Sequence, residues 1–356
     1  MTPDHYRCAS LPDGNWREVA EAARAFEELG FDEAAAHEVR HDSFATLVPA
    51  TLSTHKIGLT TSVAIAFPRS PMIVAILAQD LNANSNGRFV LGLGSQVKQH
   101  NERRFSTPWT APAPRMGEYV EALRAIWRCW ENSVPLNFKG EHYNITLMTP
   151  AFSPPPTGLP MVPITIAAVG PAMLRLAGRR CDGVRLHAFC TRAYAQQVVL
   201  PEIEKGLSQS GRKRENFEVA GGGFIVTGPD EAALAKGRER VRRDIGFYGS
   251  TPAYQPVLEL HGLGDLAKKL NKLVRNGDWD KLAAQIPDDA LDLFAAVGTF
   301  EELPEKVAAR FGGISDTINV GFSLQSNASA LSALIQKLQA IPSQFTGFSH
   351  DWATAP

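Results

Sequence analysis

Apolar positions along this chain alternate between two rhythms. After Asn15 they fall at Trp16, Val19, Ala20, Ala23 and Phe26, the spacing of one helix face. Asn15 can cap that helix, Glu18 lies three residues on to complete a capping box, and Gly30 can close it. A short strand follows at 33–36, and then a helix with Phe44, Leu47 and Val48 on one side. Residues 57–66 form an apolar, β-branched run suited to a strand covered on both faces. The pattern predicts a helix over 72–81, a buried strand over 88–93, and a long helix striped by Tyr119, Val120, Leu123, Ile126, Trp127 and Trp130.

The rhythm breaks at 132–162, where Pro154, Pro155 and Pro156 are consecutive. That stretch is too long for a plain connection and reads as an excursion over one face. Strands resume at 162–168 and 183–187, with Pro171 placed for the first turn of a helix and Thr191 as the cap of another. A strand over 217–227 and a helix over 231–247 precede a second excursion at 248–292. Thr299 and Glu302 have capping-box spacing, and 317–322 reads as the last strand. With a weak first strand at 6–10, about eight strands alternate with helices. This implies one α/β domain, a (β/α)8 TIM barrel with insertions, spanning 1–356.

Composition narrows the function. Hydrophobic residues make up 44% and charged residues 21% of 356, and the formal net charge is -1. No global basic field draws nucleic acid or an anionic membrane. Cys8, Cys129, Cys181 and Cys190 include no C-x-x-C pair and read as reduced core thiols, with no basis for a structural zinc site. The first ten residues lack a basic segment followed by an apolar one, and no apolar run reaches the roughly 20 residues that span a bilayer. The expectation is a cytoplasmic protein.

A barrel keeps its chemistry at the C-terminal ends of its strands. Those positions carry Glu38, His41 and Asp42 after strand two, Arg69 after strand three, Gly94-Ser95 with Lys98, His100 and Arg103 after strand four, Ala168-Val169-Gly170 after strand five, and His187 after strand six. Gly94 and Ser95 permit close backbone approach, and Gly170 precedes a helix whose N–H groups attract anions. Gly92-x-Gly94 lacks the third glycine of a dinucleotide fingerprint, since Val97 stands there, and ordinary turn glycines are the alternative. Glu38 and His41 could supply a general acid or base. Alternatively, Asp42 caps the next helix while His41 and Glu38 bond neighbouring backbone.

Several segments, in matching order from about Val19 to Phe322, resemble the luciferase-like oxidoreductases. They are Gly30-Phe31-Asp32, Glu38-Val39-Arg40-His41-Asp42-Ser43-Phe44, Gly58 through Pro71, Asn86 through Ser95, and Ile166 through Pro171 with Cys181-Asp182-Gly183. The branch most similar is the one using coenzyme F420, a deazaflavin. The resemblance implies hydride transfer between that cofactor and a small organic substrate, and a cis peptide at Ser62-Val63 beneath the ring, with Ala64 beside it. It also implies a phosphate held by Gly94, Ser95, Ala168, Val169 and Gly170, and cations such as Lys98 or Arg69 near the acidic tail. His41 and Glu38 are the catalytic candidates. The family's sugar-phosphate dehydrogenases carry a histidine where this chain has Val39 and a glutamate where it has Ser95, so their reaction is not expected here. An FMN-dependent monooxygenase served by a separate flavin reductase is the alternative, and a non-catalytic flavin-binding barrel a third. Pairing as a homodimer is implied. Phe138, Tyr143, Phe152, Tyr254 and Leu258 in the excursions suit a partly hydrophobic ligand, or equally a core or dimer seam.

Overall fold

The computed structural model describes residues 6–9, 14–321 and 327–349. Eight parallel staves form the barrel: β1 (Arg7–Ala9), β2 (Glu33–Ala36), β3 (Gly58–Thr61, resumed at Ala64–Ile65), β4 (Phe89–Gly94), β5 (Ile164–Ala168), β6 (Gly183–Leu186), β7 (Glu218–Gly221) and β8 (Thr317–Asn319). Each pairs with its neighbour in parallel, β8 returns to β1, and β3 pairs with β4 through Leu59–Phe89 and Thr60–Val90, which closes the ring. Closure leaves no edge exposed, and helices cover the outside.

Local sequence chemistry fixes the first βα units. Asn15 caps Trp16–Leu29 by accepting from the Arg17 and Glu18 N–H groups, Glu18 returns a bond to the Asn15 N–H, and Gly30 ends the helix at φ 90°. The capping box expected here is therefore present. Thr191 likewise caps the helix after β6 by accepting from the Tyr194 N–H. All four cysteines are buried and unpaired.

Three expectations need correction. The run 57–66 is not one strand, because the ladder breaks at Ser62 and Val63 and resumes at Ala64. The run 217–227 is two strands in two sheets. Gly221 and Gly222, at φ 83° and 93°, turn the chain out of the barrel, and Phe224–Gly228 then pairs with Ala295–Thr299. That last strand lay unrecognised beside the second excursion. Glu302 does accept from the Thr299 N–H and hydroxyl, but Thr299 ends that strand and the helix begins only at Leu303. Ser10 and Phe322, expected at the ends of the first and last strands, lie outside the described residues.

The lower interior of the barrel is ionic. Arg185 on β6 reaches Glu33 on β2 at 2.8 Å and Glu218 on β7 at 3.1 Å. Arg7 on β1 reaches the same two carboxylates at 3.4 and 2.7 Å. Thr60 and Thr165 accept from Arg185, and Thr317 donates to Glu218. Side chains from such separate staves can meet only inside the ring. They form a fully bonded plug, as buried charges require.

Candidate active site

Staves β3, β4 and β5 are neighbours, with Ala64 beside Leu93 and Leu93 beside Ile166. Their following turns therefore stand side by side at one arc of the mouth. The peptide bond between Ser62 and Val63 is cis, at the bond the resemblance implied. His37, just past β2, bonds the Ser62 carbonyl through Nδ1 at 2.7 Å. Gly94 is glycine because a Cβ there would lie 2.6 Å from Val63 Cγ2; at Gly92 it would meet the Thr61 carbonyl oxygen at 1.9 Å. The half-buried Ser62 and Val63 thus lie against the turn that carries half-buried Ser95. Buried Asn101 shapes that turn by donating to the Ser95 and Val97 carbonyls at 2.9 and 3.1 Å.

On the next stave Ala168 is buried, Val169 half-buried and Gly170 exposed. The Gly170 carbonyl accepts from the Met173 and Leu174 N–H groups, so the residue caps Pro171–Arg180. A Cβ on Gly170 would meet nothing within 4 Å. The turn is open, with the positive end of a helix dipole behind it. These residues fit an anionic group such as a cofactor phosphate.

The acidic and basic candidates after β2 and β3 bond mainly to one another. Glu38 accepts from the Ile65 N–H at 3.0 Å and the Ser43 hydroxyl at 3.3 Å, and pairs with Arg69 Nη1 at 2.8 Å. Arg69 also pairs with Asp42 at 2.6 Å and donates to the Ile65 carbonyl. Asp42 caps Ser43–Ser53 through the Phe44 and Ala45 N–H groups. Burial alone would raise the Asp42 carboxyl, but the Ala45 N–H and Arg69 hold it below its ordinary value. The three charges thus tie the strand-two loop to β3. His41 stands exposed on that loop. Lys98 is exposed and pairs weakly with Glu102 at 3.9 Å, while His100 and Arg103 are exposed on the same short helix.

His187 has more definite surroundings. It follows Arg185 by two residues and so shares its inward face. Its Nδ1 accepts from the Phe189 N–H at 2.9 Å, which leaves the proton on Nε2. Tyr248 packs on it edge-on at 4.2 Å between centroids and Tyr254 at 4.9 Å. Burial lowers its pKa to about 4, so the ring is neutral near pH 7. The second excursion supplies Tyr254, whereas Leu258 is core and Phe152 of the first excursion is 79% exposed. His37, Asn101 and Tyr248 were missed in the sequence. Only the position of His37 immediately after a strand gave a signal. Glu118, Glu141 and His142 lie close enough to suggest a metal site, but Glu118 already accepts from the N–H groups of residues 141–143.

A closed parallel barrel of this kind keeps its functional site at the mouth, where the turns after β3, β4 and β5 stand. Residues 1–316 match the family model described as luciferase-like monooxygenase. An uncharacterised protein of Mycobacterium bovis is 43% identical over 300 residues, covering 84% of this chain and 88% of that one. A 5,10-methylenetetrahydromethanopterin reductase of Archaeoglobus fulgidus is 29% identical over 306 residues, covering 83% and 87%. Among solved structures, the coenzyme F420 dependent tetrahydromethanopterin reductase from Methanopyrus kandleri superposes with a TM-score of 0.76 at 20% identity, covering 94% of this chain and 98% of that one. The chain belongs to the luciferase-like monooxygenase family and is an oxidoreductase.

Proposed function

We propose that this protein is a coenzyme F420-dependent oxidoreductase that moves a hydride to or from a small, partly hydrophobic organic substrate. The observation that carries the reading is the adjacency of β3, β4 and β5, which groups Ser62-Val63-Ala64, Gly94-Ser95 and Ala168-Val169-Gly170 at one arc of the mouth. The methanopterin reductase among the relatives supports hydride chemistry of this kind. When bound, the deazaflavin supplies the hydride-carrying carbon. The chain's own residues do the rest. Gly94, Ser95 and the helix start at Gly170 receive the phosphate, and Ser62 to Ala64 form the floor beside Gly94. His41 exchanges a proton with the substrate, and Glu38 holds the loop that carries His41 by binding Ile65 and Arg69. The wall of His187, Tyr248 and Tyr254 presents apolar rings and one Nε2–H donor to the substrate.

A fluorescence titration of the purified protein with coenzyme F420 and with FMN tests this reading. Tighter binding of the deazaflavin is expected. Preference for FMN would favour the monooxygenase fed by a flavin reductase. Binding of either without spectral change on adding candidate substrates would favour a non-catalytic barrel.

We also infer a homodimer. Trp16 and Val48, placed by their spacing on apolar helix faces, are 62% and 45% exposed, and Leu52, Ile73 and Ile76 are 75%, 51% and 42% exposed. They flank an apolar groove over Ser43–Ser53 and Pro71–Asn84 that a second copy would cover. Leu52→Asp is expected to halve the mass seen by light scattering. An unchanged mass would reject this face as the seam.

A further inference from the structure

Three arginines are buried among the described residues: Arg124, Arg185 and Arg310. Arg124 faces Asp182 at 3.0 Å, and Arg185 faces Glu33 and Glu218. Arg310 is only 8% exposed and forms no ion pair with any described carboxylate. Its Nη2 donates to the carbonyls of Cys190 and Gly222. Its Nε and Nη1 are buried and meet no acceptor. Burial lowers its pKa to about 10. A cation in this position is costly unless something answers it.

Arg310 lies on the wall of a cavity of about 770 Å3 that shares no lining residue with the glycine turns of the mouth. Lys306, four residues earlier on the helix Leu303–Phe311, lines the same cavity and is exposed. Arg192 lines it from the segment after β6 and donates to the Arg310 and Gly312 carbonyls at 3.2 and 3.1 Å. Two of the carboxylates on the wall are already engaged. Asp292 lies 3.6 Å from Arg238, and Glu302 accepts from Thr299 at 3.0 and 2.9 Å. The wall as a whole carries the cations Arg192, Arg238, Lys306 and Arg310 against the carboxylates Glu231, Asp292 and Glu302, an excess of one positive charge.

We propose that this cavity is a second ligand site, which binds a small oxyanion, phosphate or carboxylate, as the missing acceptor for Arg310 with Lys306 at its edge. Guanidinium nitrogens suit the paired oxygens of either group. The site stands apart from the cofactor turns and does not depend on the flavin reading. Because Arg310 also holds the carbonyls of Cys190 and Gly222, an occupied cavity braces the loop that carries His187.

Isothermal titration of the full chain with inorganic phosphate, and separately with succinate, at constant ionic strength tests the proposal. Saturable binding of at least one is expected, and the tighter of the two identifies the group. Lys306→Ala should weaken it about tenfold, and Arg310→Met should abolish it. Phosphate held only at the Gly170 turn would titrate identically in wild type and both variants. That result, or the absence of saturable heat with either anion, would overturn the proposal. Should Arg310→Met fail to fold, an unchanged affinity in Lys306→Ala is sufficient to reject it.

Discussion

Arg185 and His187 stand two residues apart at the end of one stave and face the same lumen, yet their surroundings are opposite. Arg185 is locked between Glu33 and Glu218, with Thr60 and Thr165 accepting further hydrogen bonds from it. Among the described residues His187 has one hydrogen bond, from the Phe189 N–H, and it packs against the rings of Tyr248 and Tyr254. Charge at the lower level is matched by charge, so that level can only hold the staves together. Polarity at the upper level is left over, so it can meet a ligand. The step from Arg185 to His187 therefore divides the scaffold from the candidate chemistry.

Breaking the lower level should have the largest effect. Arg185→Met leaves two carboxylates facing one arginine in a buried space, and a loss of about 3–5 kcal/mol in urea unfolding is expected. A loss under about 1 kcal/mol would mean that the plug contributes little. The same level should fail in acid. Burial by itself would raise the Glu218 carboxyl, but Arg185 and Arg7 hold it below the ordinary glutamate value. Its folded pKa is thus the lower one. Its contribution is present above about pH 4.3 and is lost as pH falls through the folded value.

The next effect belongs to the mouth. His41→Gln should slow turnover by about 10²-fold, equivalent to about 2.7 kcal/mol in the barrier, while cofactor affinity stays within about twofold. Unchanged turnover would remove His41 from the reaction. A parallel loss of cofactor affinity would make it a binding residue. Stability should barely move, in contrast to Arg185→Met.

These two levels were not equally legible in the sequence. The alternation of strands and helices announced the barrel because short strands recur between helices marked by caps such as Asn15 and Thr191. The interruption of β3 at Ser62 was legible only through resemblance, since nothing in the β-branched run 57–66 marks a break there. The ionic plug was invisible, because Arg7, Glu33, Arg185 and Glu218 are far apart in sequence and meet only when the ring closes. The loop after β2 gave a mixed picture. Asp42 does cap a helix, and Glu38 does bond nearby backbone, which was the plainer of two readings. Trp16 and Val48 fitted a helical stripe yet point outward, because periodicity finds an apolar face without saying whether the chain's own core covers it.

The smallest effect sharpens the contrast within the lumen itself. Burial holds the His187 pKa near 4 against an ordinary 6.5. Its folded pKa is the depressed one, so the neutral ring's contribution is complete above about pH 6.5 and is lost as pH falls towards 4. Protonation would also force a proton onto Nδ1, which now accepts from the Phe189 N–H, and would place a cation among Tyr248, Tyr254 and Phe189. Melting temperatures of wild type and His187→Gln, followed from pH 7 to pH 4.5, read this directly. The wild type should lose about 2 kcal/mol more than the variant across that range. Both chains keep Glu218 and its arginines, so the difference between the curves isolates the upper level. Coincident curves would show that His187 is open to water, and the neutral wall assigned to the substrate would lose its basis.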